Sequence, residues 1–109
     1  MIEVIIYEED NQLVAFEISG HANSGPYGYD LVCAGVSAVS FGAVNAVFEL
    51  CEIDLEVDQA GEGGYLYVAI PTKYPLAQRQ KAQLIFEAMI ISLQTIEREY
   101  SKFIKIQRK

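Results

Sequence analysis

The run LVCAGVSAVSFGAVNAVFEL, residues 31–50, decides the fold of this chain. It is rich in alanine and valine and carries no charge from Leu31 to Phe48. Asp30, a favoured N-cap residue, stands directly before it, so the pattern predicts a helix that begins at Leu31. An uncharged run of this length is also compatible with a membrane span. Because both flanks are acidic and neither carries a cationic anchor, a buried core helix is the better interpretation, and we expect no membrane partner.

The residues before this helix predict a β-hairpin. Ile2–Tyr7 and Leu13–Ile18 are rich in β-branched and aromatic residues, and the polar residues 8–11 between them form the expected turn. The second strand should bury one alternating set of side chains, namely Val14, Phe16 and Ile18. Three glycines and a proline then break the pattern over Gly20–Tyr29, which predicts a mobile loop.

Two further strands, a second helix and a last strand follow. Residues 52–58 alternate between acidic and aliphatic side chains and predict a strand, with 64–70 as its hairpin partner. Residues 76–100 predict a helix and 103–107 a final strand. The apolar positions at helical spacing in the second helix are Leu84, Ala88, Met89, Leu93, Ile96 and Tyr100. The order ββαββαβ predicts an α/β (α+β) fold, a two-layer sandwich in which a largely antiparallel sheet carries both helices on one face.

Charge is distributed unevenly along the 109 residues, which we expect to form one domain, 1–109. Residues 1–72 contain twelve acidic residues and no lysine or arginine, whereas all eight cationic residues lie in 73–109. Such an acidic surface disfavours nucleic acid as a partner. It suits a basic protein partner, but from composition alone simple solubility is the better explanation.

The small number of cysteine and histidine residues limits the chemistry that this chain can perform. Two cysteines and one histidine are too few for a disulfide framework or a zinc site, so we expect no metal and no cofactor. Within one helix, the Cα atoms of Cys33 and Cys51 would lie about 27 Å apart, whereas a disulfide needs less than about 7 Å. Free thiols indicate a reducing compartment, and no secretory pattern is visible, so we expect a cytoplasmic protein.

Cys33 and His21 are the candidates for catalysis. Cys33 falls in the first turn of the predicted helix, where the dipole and free backbone N–H groups favour a thiolate and can hold an oxyanion. His21 lies on the glycine-rich loop, which brings a base to the thiol if it folds over the helix start. Ser37 and Ser40 follow on the same helix face and would give the site a polar floor.

Each of these residues also has a purely structural explanation. A cysteine in an alanine- and valine-rich helix is commonly a small buried hydrophobe, and a histidine beside glycine is commonly an exposed loop residue. Asp30 caps the helix or, in addition, orients the histidine. Ser37 can bond back to the carbonyl of the preceding helical turn. Tyr27 and Tyr29 either line a substrate groove or pack the loop.

Residues 20–37 fit the pattern Gly-His-Ala-x-x-Gly-x-x-Gly-x-Asp-x-Val-Cys-Ala-x-Val-Ser without a gap. This segment resembles the signature of the bacterial ribosomal-processing cysteine protease family, and the element order and chain length are similar from end to end. Gly35 stands where alanine is frequent in that family.

The resemblance implies an endopeptidase with His21 and Cys33 as its catalytic pair and with Asp30 and Ser37 as supporting residues. The candidates for substrate contact on the loop are Gly20, Gly25, Tyr27, Gly28 and Tyr29. The three glycines belong to the matched pattern, whereas the two tyrosines are candidates by residue type alone. The resemblance further implies a cytoplasmic homodimer whose substrate is the N-terminal extension of large-subunit ribosomal protein twenty-seven. The open loop leads us to expect that the site is completed only when substrate docks.

Two alternatives remain at this stage. In the first, the chain is a non-catalytic dimeric interaction module for a basic protein partner, with Cys33 in the core and His21 incidental. The second, a redox or thiol-transfer protein, is weaker because no second cysteine lies near Cys33 to resolve a mixed disulfide. Faster alkylation of Cys33 than of Cys51 distinguishes the protease from the interaction module.

Overall fold

A computed structural model describes residues 1–20, 29–61 and 64–109 of the chain. Over these residues the elements follow in the order ββαββαβ, which confirms the predicted order. Their bounds are β1 Ile2–Glu9, β2 Gln12–Ser19, α1 Tyr29–Cys51, β3 Glu56–Gln59, β4 Tyr65–Ala69, α2 Leu76–Glu99 and β5 Ile104–Arg108. The loop predicted over Gly20–Tyr29 lies, from 21 to 28, outside the described residues.

The strands form one sheet in the order β3-β4-β2-β1-β5. β1 pairs antiparallel with β2, β2 with β4, and β4 with β3, whereas β5 runs parallel to β1. The two helices contact each other and cover one face of the sheet. The predicted α+β sandwich with a largely antiparallel sheet is therefore confirmed.

The first hairpin is tighter than predicted. Its turn consists of Asp10 and Asn11 alone, whose φ angles of 53° and 64° are those of a two-residue type I′ turn. The right-handed strand twist favours this turn, so β1 continues to Glu9. The prediction of a four-residue turn over 8–11 was wrong for this reason.

A bulge in β2 changes which side chains face the core. The register shifts between Tyr7 and Glu8 of β1, which leaves Val14 as the extra residue on β2. Alternation resumes one residue out of step, so Leu13 is buried and Val14 is only half-buried. The predicted buried face was right for Phe16 and Ile18 and wrong for Val14.

The core lies between the sheet and the helices. Phe16 of β2 meets Phe86 of α2 edge to face, with ring centroids 5.1 Å apart and an interplanar angle of 70°, a geometry that aromatic pairs favour. The buried residues of α2 are Ala82, Phe86, Met89, Ile90 and Leu93. The predicted phase was therefore wrong for Leu84, which is 72% exposed, and for Ala88, which is also exposed.

α1 covers the sheet with one face only. It begins at Tyr29 and ends at Cys51, so both predicted ends were short. From Leu31 onward, the part of α1 whose side chains are described, the buried residues are Val32, Val36, Ser40, Val47 and Cys51. From Leu31 to Cys51 it is long and apolar enough to cross a membrane by length and composition, and 28% of the residues in its apolar 18-residue segment are buried. The expectation of a buried core helix was thus right for one face.

The chain leaves α1 through Glu52, whose φ of 55° breaks the helix. The amide of Gln78 on α2 donates to the carbonyl oxygen of Cys51 at 2.7 Å and so satisfies one of the terminal carbonyls. Because residues 52–55 turn the chain back toward the sheet, the strand predicted from residue 52 begins only at Glu56. Ile53 in this turn is completely buried.

Candidate active site

α1 presents Cys33 to a cavity at the end of the sheet. The cysteine is half-buried, and the cavity has a volume of about 160 Å³. Its apolar walls come from the ends of β1, β2 and β4 and from α1, and are formed by Ile2, Ile18, Leu66, Val36 and Phe41. Its polar lining includes the side chains of Ser37, Ser40, Gln59 and Tyr65. A half-exposed thiol beside an apolar cavity can reach a bound peptide while the cavity holds a neighbouring side chain.

The two serines below the cysteine differ in what their hydroxyl groups do. Ser40 is 2% exposed, and its hydroxyl donates to the carbonyl oxygen of Val36 at 2.7 Å. Ser37 is exposed and lines the same cavity as Cys33. The back-bonding considered for Ser37 is therefore made by Ser40, which leaves Ser37 as the hydroxyl that a ligand can reach.

Gly20 fixes the exit of β2 at the edge of this cavity. Its N–H donates to the carbonyl of Gly64 at 2.9 Å, and its φ of 98° is one that side chains rarely adopt. A Cβ there would lie 2.3 Å from the carbonyl oxygen of Met1, which no folded chain accommodates without a shift. Both constraints explain why this position, among the predicted loop candidates, requires glycine.

The helix start differs from the prediction. α1 begins at Tyr29, so Asp30 lies in its first turn and is not the N-cap. Cys33 is the fifth helical residue, and an α-helix that begins at Tyr29 engages the N–H of Cys33 with the carbonyl four residues back. The expectation that Cys33 is one of the first three helical positions was wrong, and its own N–H is not one of the free donors.

The other predicted residues lie outside what the structure describes. His21, Gly25, Tyr27 and Gly28 belong to the segment 21–28, and the side chains of Tyr29 and Asp30 are likewise not described. The structure thus brings together Gly20, Cys33 and Ser37 of the predicted site. The role of the remainder stays a prediction.

Tyr65 and Glu17 form a polar contact next to the cavity. The Tyr65 hydroxyl donates to Glu17 Oε2 at 2.7 Å, and Tyr7 donates to the other oxygen at 3.4 Å. The hydrogen bond to Glu17, reinforced by burial, raises the pKa of Tyr65 to about 12. Tyr65 therefore stays protonated at neutral pH and acts as a hydrogen-bond donor, not as a base.

Cys51 provides the contrast with Cys33. It is 5% exposed and belongs to the core between the helices and the sheet. Burial raises the pKa of its thiol, although Lys81 acts in the opposite direction. A buried thiol held in its neutral form is a weak nucleophile.

Sequence reasoning missed the walls of the cavity. Ile2, Ile18 and Leu66 are far apart in sequence and lie on three strands, and Gln59 lies on a fourth. Each had only the signal of an ordinary strand residue. Knowledge of the strand order β4-β2-β1 was needed to place these residues beside Cys33.

Sequence comparisons relate the chain to a group of proteases. The sequence model of the family described as "Cysteine protease Prp" matches residues 1–105. The chain is 48% identical over 97 residues to the ribosomal processing cysteine protease Prp of Bacillus subtilis (strain 168), covering 89% of this chain and 87% of that protein. It is 37% identical over 106 residues to the protein of the same name from Staphylococcus aureus (strain Mu50), covering 96% and 95%.

Solved structures give the same relation. The crystal structure of Prp from S. aureus in complex with a substrate peptide matches over 100% of both chains, with a TM-score of 0.89 and 37% identity. The structure of that protease with a covalently linked product peptide matches over 100% of both chains, with a TM-score of 0.86 and 38% identity. SMU.848 from Streptococcus mutans covers 99% of this chain and 93% of its own, with a TM-score of 0.81 and 31% identity.

Proposed function

Because the chain belongs to the cysteine protease Prp family and is a cysteine endopeptidase, we propose that it removes the N-terminal extension of large-subunit ribosomal protein twenty-seven. The observation that carries this proposal is the half-buried thiol of Cys33 beside an apolar cavity. The names of the relatives, which are ribosomal processing proteases, support the substrate class. The free thiols are consistent with action in the cytoplasm.

In the proposed mechanism, Cys33 is the nucleophile and His21 is its base. His21 takes the thiol proton, and the Cys33 sulfur attacks the carbonyl carbon of the scissile peptide bond. The tetrahedral intermediate collapses as the carbon–nitrogen bond breaks, and His21 returns the proton to the leaving amine. Water, deprotonated by His21, then hydrolyses the thioester, which releases the N-terminal fragment as a carboxylate and restores the thiol.

Covalent geometry supports the pairing of these two residues. His21 follows Gly20 directly, and Gly20 lines the same cavity as Cys33. Since consecutive Cα atoms are about 3.8 Å apart, the bond to Gly20 limits how far His21 can lie from the cavity. Asp30 is proposed to support His21, and the exposed hydroxyl of Ser37 to contact the substrate backbone.

The lining of the cavity supports preference for an apolar side chain next to the cleaved bond. Ile2, Ile18 and Leu66 form an aliphatic wall, and Phe41 adds an aromatic surface. Burying an aliphatic or aromatic side chain contributes about 1.5–3 kcal/mol, which is enough to select among peptide segments. The acidic N-terminal part of the enzyme suits a basic ribosomal protein as the body of the substrate.

We further propose that the enzyme acts as a homodimer through the outward face of α2. Leu84 is 72% exposed and Ile91 is 64% exposed, and with Ala88 and Thr95 they make an uncharged stripe at spacings of three and four residues. Sedimentation velocity checks this proposal. Leu84→Glu should convert a dimer into a folded monomer, whereas a monomeric wild type would contradict it.

The proposed function is tested by cleavage of the precursor ribosomal protein, followed by mass spectrometry. Cys33→Ala and His21→Ala should each abolish cleavage, because one removes the nucleophile and the other its base. Cys51→Ala is the matched control, since it removes the buried thiol and should retain activity. Cleavage that survives Cys33→Ala overturns the catalytic assignment, and an uncut precursor with the wild-type enzyme overturns the substrate.

A further inference from the structure

Among the described residues, the two edges of the sheet differ in how their backbone groups are used. At the β5 edge, the N–H of Ile106 donates to Glu97 Oε2 of α2 at 2.8 Å, so a side chain occupies the outward donor. At the β3 edge, no described side chain forms a hydrogen bond with an outward backbone group. An open strand edge is a template for another extended segment.

The register of β3 shows which of its groups point outward. The N–H of Ala60 donates to the carbonyl of Tyr65 at 3.3 Å, and β3 pairs antiparallel with β4. Because bonded and non-bonded pairs alternate in such a ladder, Glu56 and Asp58 bond to β4. The backbone N–H and C=O groups of Val57 and Gln59 therefore point away from the sheet.

The side chains of these two residues lead toward the thiol. Val57 lines a groove with Phe48 and Val44 of α1, and Gln59 lines the cavity that contains Cys33. β3 runs antiparallel to α1, so the groove at Val57 and the cavity at Gln59 lie one after the other along the same line. An extended segment beside β3 would place every second side chain over this flank of α1.

The flank of α1 that faces this line is largely apolar from Phe48 to Cys33. Phe48, Val44, Phe41, Ser37 and Cys33 succeed one another at spacings of three and four residues, which places them on one side of the helix. Phe48 is 62% exposed and Phe41 is 40% exposed. From Phe48 to Cys33 the helix rises about 22 Å, which equals about seven residues of an extended peptide.

We propose that the substrate binds as an added strand on the free edge of β3, with alternate apolar side chains packed against Phe41 and Phe48 and with the scissile bond carried to Cys33. The side chains of the added strand that point away from α1 would lie beside Glu56 and Asp58, both of which are exposed. The occupant is therefore an extended, basic segment of the precursor within about seven residues of the cut. Like charges on β3 also oppose pairing between two copies of this edge.

This inference rests on the proposed function, so its test uses Cys33→Ala enzyme and a fluorescent peptide that spans the junction of the extension and the mature ribosomal protein. Backbone N-methylation removes one N–H at a time along the peptide. Methylation at alternate positions should weaken binding about fivefold, the loss expected for one backbone hydrogen bond, while methylation at the positions between them should have no effect. Equal effects at all positions, or none, overturn strand addition.

Protein variants test the same inference from the enzyme side. Gln59→Pro removes one outward N–H without touching the ladder to β4, so it should fold normally and weaken peptide binding about fivefold. Phe48→Ala should weaken peptide binding about tenfold, because the peptide would lose an aromatic contact. Leu76→Ala is the control: it also truncates a large apolar side chain that is 48% exposed, but on α2, and it should leave peptide binding unchanged. Unchanged binding by folded Gln59→Pro and Phe48→Ala contradicts the inference.

The two proposals fail in different ways. If the wild-type enzyme cleaves the precursor and Cys33→Ala does not, the proposed function stands whatever the methylation pattern shows. If methylation weakens binding at every second position and the Cys33→Ala enzyme still cleaves the precursor, Cys33 is not the nucleophile, but binding of the substrate as an added strand is supported.

Discussion

Replacement of Gly20 by alanine is the sharpest test of how the fold positions the site. Gly20 has a φ of 98°, and a Cβ built on it falls 2.3 Å from the carbonyl oxygen of Met1. Positive φ costs a residue other than glycine about 1–3 kcal/mol. The clash is with backbone atoms at the start of β1 and cannot be relieved by a rotamer change, so we expect a total near the top of that range.

A loss of about 3 kcal/mol is a large share of the 5–15 kcal/mol typical of a domain, and for a chain of 109 residues it should lower the Tm by about 13 °C. Cleavage activity should also fall in Gly20→Ala, because the chain enters the segment that carries His21 from this residue. Differential scanning calorimetry gives the Tm, and the precursor cleavage assay gives the activity.

Gly42→Ala is the matched control. Gly42 lies on α1, and a Cβ there would meet nothing within 4 Å. Alanine in a helix is more stable than glycine by about 0.5–1 kcal/mol, so this variant should melt slightly above the wild type. The reasoning is refuted if Gly20→Ala has the same Tm as the wild type while the Tm of Gly42→Ala lies slightly above it.

Three further outcomes are expected. Phe86→Ala should lower the free energy of unfolding by about 3–5 kcal/mol in urea titrations, because the ring is completely buried; a loss below about 1 kcal/mol would contradict the packing. Tyr65 has a pKa of about 12, above the ordinary value of 10.0, so the stability that its hydrogen bond to Glu17 provides is complete below pH 10 and is lost as the pH rises through 12. The stability difference between wild type and Tyr65→Phe, measured by denaturant titration, should therefore stay constant up to pH 10 and shrink above it, and a constant difference at all pH values would refute this. Iodoacetamide should modify Cys33 of the native protein much faster than Cys51, whose burial raises its pKa and blocks access; equal rates, followed by mass spectrometry, would contradict the structure.

Local pattern was sufficient to predict the order of elements. Alternation in 52–58 indicates that a strand is present, although only its second half is strand in the structure, and the apolar run over 31–50 identifies a helix. The prediction erred where a distant partner decides the outcome. Val14 leaves the core because β2 bulges in its pairing with β1, and the buried face of α2 is the one that packs against α1 and the sheet.

The sequence was sufficient to select Cys33 as a candidate and to place it in one segment with Gly20, but not to predict the residues that surround it. Cys33 and Gly20 stand in one recognisable segment, and both line the cavity. The wall residues Ile2 and Leu66 reach it through sheet pairing, which no local signal encodes. The helix start was misplaced because Asp30 fits an N-cap by type, whereas α1 already begins at Tyr29.

Capture of the acyl-enzyme on Cys33 tests the central claim most directly. Rapid acid quenching of wild-type enzyme with the precursor should trap the extension as a thioester. The site is read by digestion after glutamate, because Glu49 lies between the two cysteines, whereas the first tryptic site is Lys73 and leaves both on one peptide. We expect the added mass on the fragment that contains Cys33. Its appearance on the Cys51 fragment, or cleavage by Cys33→Ala enzyme, would contradict the assignment.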